Sequence, residues 1–88
     1  MYRFSPSRKI KRTVIANAKG QKLLVSTIQT TPVINWFSSK PFETMVLNES
    51  SSDVDKAHAE TESEAIENHD RLLAKWLNDD YGFAIVDE

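Results

Sequence analysis

The chain has 88 residues, with eleven bases, thirteen acids and no cysteine. That length suits one domain with a modest core, and without thiols there are no disulfides and no thiolate chemistry, so stability must come from packing or association. No apolar run approaches the roughly 20 residues of a membrane span, and the basic start MYRFSPSRKIKR lacks the apolar stretch of a signal peptide, so a cytoplasmic protein without membrane contact is expected.

The net charge of −2 conceals an asymmetry. Residues 1–40 carry eight bases and no acid, and residues 41–88 carry three bases and all thirteen acids. Such a division points either to a charged partner such as nucleic acid or to two complementary halves of one fold.

Taken in order, residues 1–7 read as a flexible lead-in. Residues 10–30 read as a β-hairpin: Ile10–Ala18 is rich in β-branched residues, Ala18-Lys19-Gly20-Gln21 is a turn with glycine placed for positive φ, and Leu23–Thr30 returns. Thr31–Lys40 is a loop bracketed by Pro32 and Pro41 that carries Trp36 and Phe37. These aromatics either fold over a core edge or anchor a partner, as exposed Trp and Phe do at binding hot spots. Residues 42–60 supply two strands. In the first, FETMVL, Phe42, Thr44 and Val46 share one face, and Glu43, Met45 and Leu47 the other. Glu43 is expected to pair with a first-strand base, Arg12 or Lys11. A Ser/Asn-rich turn then leads to a polar strand ending near Glu60.

Residues 61–78 form an amphipathic helix. Thr61 and Glu64 make a capping box. Ala65, Ile66, Leu72, Leu73, Trp76 and Leu77 form an apolar stripe, with His69 in its middle turn. Glu67 and Arg71 are placed as an i,i+4 ion pair. Asn78, Asp79, Asp80 and Gly82 stop the helix. Residues 83–86 offer a last strand. The predicted fold is α+β: a small antiparallel sheet of three to five strands, with the helix across one face. One helix covers one side only, yet Val14 and Ile15, Leu23 and Leu24, and Met45 and Val46 put apolar residues on both. The second face therefore needs the 31–40 loop or another chain.

Three of these segments, in this order, resemble a family of small uncharacterised bacteriophage and prophage proteins. Its members show an STV-like segment, a strand close to ETMVF and a helix start of the form T-x-x-E-A-x-x-x-H. Here VSTI at 25–28, Glu43-Thr44-Met45-Val46, and Thr61, Glu64, Ala65 and His69 match, and the likeness runs over residues 25–76. Gln29-Thr30-Thr31-Pro32 stands where members often carry an acidic-histidine pair, and Leu47 replaces the usual aromatic. The resemblance implies a phage or prophage origin, and so a host bacterial cell; the family has no established activity.

Little in the chain suggests catalysis. Two glycines do not make a P-loop or a dinucleotide-binding turn, and no nucleophile–base arrangement or convergent carboxylate pair can be read. His69, alone on an apolar stripe, reads as a core residue bonded to a backbone carbonyl, and His58 and His69 lack zinc-ligand spacing. We therefore expect no enzyme, no cofactor, no metal and no small-molecule substrate. The expected role is a non-enzymatic accessory protein that works by protein–protein contact on a host factor, as a homo-oligomer, through Trp36, Phe37, Glu43, Met45 and Leu47. A second reading is nucleic-acid contact by Arg8, Lys9, Lys11, Arg12, Lys19 and Lys22, and a third is a minor virion component.

Overall fold

The computed structural model describes residues 8–30, 40–78 and 82–88. Five strands and one helix follow in order: β1 (Arg8–Asn17), β2 (Lys22–Gln29), β3 (Phe42–Leu47), β4 (Asp53–Ala59), α1 (Glu62–Trp76) and β5 (Phe83–Asp87). The sheet is antiparallel throughout, in the order β4-β3-β2-β1-β5. The four strands before the helix form a meander. After α1 the chain returns to the far edge and pairs β5 with β1. The α+β architecture read from the sequence is the one observed. The expected lead-in at 1–7 and the loop with Trp36 and Phe37 lie outside the described residues.

Both described hairpin turns are organised by an asparagine. Asn17 Oδ1 accepts from the backbone N–H of Lys19 and of Gln21, each at 3.0 Å. Asn48 Oδ1 accepts in the same pattern from Ser50, at 2.9 Å, and Ser52, at 3.0 Å. An Asn side chain that satisfies its own turn in this way offers the backbone an alternative to continuing the strand. Gly20 takes a φ of +83°, as its position in the first turn requires. Between β3 and β4 the left-handed position is held by Ser51, with a φ of 62°.

The period of two in the strands sets the core. Thr13 and Ile15 of β1, Leu23, Val25 and Thr27 of β2, and Phe42, Thr44 and Val46 of β3 are all buried beneath α1. From the helix come Ala65, Asn68, His69, Leu72 and Leu73. One apolar cluster joins Ile15, Leu23, Val25, Val46, Leu72 and Leu73; a smaller one joins Phe42, Ala59 and Ala65, with Ile10 against it. Each large apolar side chain so buried contributes about 1.5–3 kcal/mol. Ile10 reaches its cluster because β1 carries a bulge between Lys9 and Lys11.

The helix begins with the Thr61 half of the expected capping box. Thr61 has an extended backbone, and its hydroxyl oxygen accepts from Glu64 N–H at 3.2 Å. The Glu64 carboxylate accepts a hydrogen bond from the Thr61 hydroxyl, also at 3.2 Å. One expected helix contact is not made: the Arg71 guanidinium donates to Asn68 Oδ1 rather than pairing with Glu67. Asn68 is itself buried, and its amide donates to the His58 carbonyl at 3.2 Å, which ties α1 to β4. Asn68 lies three residues before Arg71, one of the two spacings at which helix side chains meet, so its amide oxygen competes with Glu67 for the guanidinium.

Candidate functional site

Two places could carry function: the polar centre beneath the helix and the sheet face turned away from it.

Beneath the helix, the strand register brings three threonines together. Thr27 stands directly across from Thr44, and Thr13 lies on the same face two pairs further along β1, across from Val25. His69 comes down between them from α1, fully buried. Its Nε2 lies 3.0 Å from Thr13 Oγ1 and its Nδ1 lies 2.8 Å from Thr27 Oγ1. Thr27 Oγ1 is also 2.7 Å from Thr44 Oγ1. Neutral imidazole has one N–H and one lone pair, and each hydroxyl both donates and accepts, so the row closes in either direction. In one sense Thr13 donates to Nε2, Nδ1–H donates to Thr27, and Thr27 donates to Thr44; in the other every donor reverses. Burial holds the His69 pKa below its ordinary value. The Lys11 ammonium pushes the same way, and Asp70 opposes them. With both ring nitrogens engaged by hydroxyls, His69 offers no free lone pair for proton transfer. It is a core histidine, as its place on the stripe suggested, but its partners are threonine hydroxyls and not a backbone carbonyl.

The opposite face is read from the same registers. One row runs Asp87, Val14, Leu24, Leu47, Asp53. The next runs Arg12, Ser26, Met45, Lys56, and the third Lys9, Ile28, Glu43, His58. Val14, Leu24, Ile28, Met45 and Leu47 thus make an apolar centre, each side chain half-buried. The flanks are charged and mostly closed on themselves. Arg12 pairs with Asp87 at 3.1 Å, His58 with Glu43 at 3.0 Å, and Lys56 with Asp53 at 3.4 Å. Glu43 therefore does not pair with Arg12 or Lys11. Strand β2 lies between β3 and β1, which leaves His58, directly opposite on β4, as its neighbour.

The two halves of the charge dipole meet in the fold. Arg8 reaches Glu62 at 2.7 Å and Lys11 reaches Asp70 at 2.8 Å, both across the sheet–helix boundary. Of the six candidate nucleic-acid bases, Arg8, Lys11 and Arg12 are engaged within the chain. Lys9, Lys19 and Lys22 form no ion pair among the described residues. Lys9 sits at one end of the sheet, and Lys19 and Lys22 sit at the turn that closes the other end. The matched motif residues have structural places: Thr61 caps the helix, Ala65 is core, Thr44 and His69 belong to the buried row, and Glu43 and Met45 lie on the outer face.

The two histidines lie on opposite sides of the sheet. Among the described residues no group of three or more His, Asp or Glu is placed to hold a metal ion. A cavity of about 730 Å³ opens at the turn end of the sheet, between Leu23, Trp76 and Phe83. The asparagines on its wall, Asn17 and Asn48, have their side-chain oxygens committed to the turns. No helix among the described residues is long and apolar enough to cross a membrane.

No family model, curated protein or solved structure matches this chain.

Sequence reasoning found the outer-face residues Glu43, Met45 and Leu47 and the core place of His69. It missed Asn68, Thr13 and Thr27. A recoverable signal was present for the threonines: each occupies an inward strand position, where a hydroxyl needs a buried partner.

Proposed function

We propose that this protein is a non-enzymatic interaction module that binds another protein through the outer face of its sheet. The observation that supports this reading is the apolar centre of Val14, Leu24, Ile28, Met45 and Leu47 on the side that α1 does not cover. The ion pairs of Arg12 with Asp87 and of Lys56 with Asp53 cancel charge at the flanks of that centre, which suits a partner surface that is apolar in the middle and polar at the rim. The resemblance in VSTI, ETMV and TESEAIENH supports a phage or prophage setting, with a host protein as the partner. Nothing in the arrangement of His69 favours catalysis, since its ring nitrogens are taken by Thr13 and Thr27.

The test is affinity capture from bacterial lysate with tagged wild-type protein and a Leu24→Lys, Met45→Lys double variant, each first shown to be folded by circular dichroism. A discrete protein retained by the wild type and lost with the double variant supports the reading. Retention of the same set by both, or of nothing above a tag-only control, overturns it.

The basic-hairpin reading receives less support from the geometry. Three of its six bases already have acidic partners, and the other three are divided between the two ends of the sheet. Nucleic acid follows a continuous cationic track and binds more weakly as salt rises. A fluorescent oligonucleotide that shows no binding at low salt removes this reading.

A further inference from the structure

Helix α1 ends at Trp76, and the cavity of about 730 Å³ lies between that residue, Phe83 and the two asparagine turns. Its size falls within the roughly 300–1,000 Å³ of small-ligand sites. Part of the wall is apolar. The Trp76 and Phe83 rings meet edge-on, with centroids 6.3 Å apart, and Leu23 and Val54 stand beside them. Val54 is the residue that the bulge between β3 and β4 adds, and it is one of the three exposed large apolar side chains among the described residues. A bulge re-aims the side chain it adds, and here the added valine lines the cavity.

The polar part of the wall is one-sided. Its amide oxygens are engaged: Asn17 and Asn48 hold their turns, and Gln21 Oε1 accepts from the Asn17 amide at 2.7 Å. The carbonyls of Leu73 and Lys75 at the helix end accept from the N–H groups of Leu77 and Asn78. The Trp76 indole N–H is given to Asp55. The ammonium groups of Lys19 and Lys22 are different. Both line the cavity from the first hairpin, and neither enters an ion pair among the described residues. The one acid among the described residues of the wall, Glu49, stands on the other turn.

We infer that this cavity binds a small aromatic molecule that carries a single carboxylate. The ring lies against Trp76, Phe83, Leu23 and Val54, where a planar body can meet the two rings in the offset or edge-on arrangements they favour. The carboxylate turns to Lys19 and Lys22 and away from Glu49, and it accepts the donors that the fold leaves open. A cation of the same shape meets two like charges, and a molecule charged negatively at both ends brings one of them to Glu49. The site is separate from the outer face proposed above to hold a protein, because Leu23, Trp76 and Phe83 belong to the core cluster under α1.

The test uses three probes with one ring system: indole-3-acetate, the neutral indole-3-ethanol and the cationic tryptamine. Each is titrated into nitrogen-15-labelled full-length protein and followed by nitrogen–proton NMR. The chain has two tryptophans, so Trp36→Phe identifies the Trp76 indole signal. Indole-3-acetate should move that signal and the amides of Lys19, Lys22, Gly82 and Phe83, with a dissociation constant of about 1 mM for a ligand of this size. It should bind about three- to tenfold more tightly than indole-3-ethanol, as exposed charge pairs allow, and tryptamine should bind most weakly. Added salt should narrow the difference. Both lysines are exposed, so a Lys19→Gln, Lys22→Gln double variant should fold as the wild type does. It should lower indole-3-acetate to the affinity of indole-3-ethanol and leave indole-3-ethanol unchanged. No movement of these signals by indole-3-acetate at about 10 mM, roughly ten times the expected constant, overturns the inference. So does equal affinity for all three probes, an unchanged preference in the double variant, or movement centred on Leu24 and Met45 of the outer face. None of these outcomes bears on the capture experiment, whose variants lie on that other face.

Discussion

His69 Nδ1 and Thr27 Oγ1 lie 2.8 Å apart in the fully buried boundary between helix and sheet, and Thr27 passes the contact on to Thr44. One hydroxyl thus serves two partners. Thr27→Val keeps the shape and removes that hydroxyl, leaving His69 Nδ1 and Thr44 without their bonds. The expected destabilisation is about 1–3 kcal/mol by urea unfolding. Thr27→Val combined with His69→Leu should fall short of the sum of the two single changes, because the second replacement removes a group the first had already orphaned.

Acidification should weaken the fold. The folded state holds the His69 pKa below 6.5, its ordinary value, so below that pH the unfolded chain takes up a proton that the folded chain refuses. The stabilisation is fully present above pH 6.5 and is lost as pH falls toward the folded-state pKa, with a slope of at most about 1.4 kcal/mol per pH unit. Urea midpoints measured from pH 8 to pH 5 should fall in that window, and His69→Gln should flatten the fall. Asp55, whose carboxyl is held below 3.8 chiefly by its bond to Lys75, adds a separate loss in stronger acid, as pH drops through its folded value.

Asp55 also gathers the C-terminal end of α1. Its Oδ2 accepts from Lys75 Nζ at 2.6 Å and from the Trp76 indole N–H at 3.3 Å, while Trp76 stands edge-on to Phe83. Asp55→Asn should move the Trp76 indole N–H resonance in a nitrogen–proton NMR spectrum. The accompanying cost is about 1 kcal/mol or less, since the lysine end of this pair is half exposed.

Thr61→Ala removes the acceptor for Glu64 N–H and should cost about 1 kcal/mol in thermal or urea unfolding. Thr61→Asp should recover most of that, because a carboxylate both caps the helix and suits the positive end of its dipole.

Much of the fold was legible because its determinants are local. The capping box at Thr61 and Glu64, the glycine turn at Gly20 and the alternation in FETMVL each act within a few residues. The misread contacts share a different origin. Chemistry alone matches Glu43 to the β1 bases, but β2 lies between them, and only the strand order shows His58 to be its neighbour. Helical spacing matches Arg71 to Glu67, while the competing acceptor is the buried Asn68, a residue whose polarity disguises its place in the core. The threonine row was hidden for the same reason. Thr13, Thr27 and Thr44 look like ordinary strand formers until the registers bring them under one imidazole. The outer face was visible as a surplus of apolar residues, since both sides of β2 and β3 carry them.

The placement of β5 against β1 has a consequence for the order of assembly. Ile15 and Ile85 are Cα partners separated by roughly seventy residues, whereas every pairing among β1 to β4 joins strands next in sequence. During synthesis the meander can close hairpin by hairpin, and α1 can settle on it, before Phe83–Asp87 has left the ribosome. The flank of β1 that β5 finally covers, Val14 to Asn17, stays open throughout that interval. A newborn chain is therefore most vulnerable to wrong strand pairing along β1, and the last strand acts as the latch that ends the exposure.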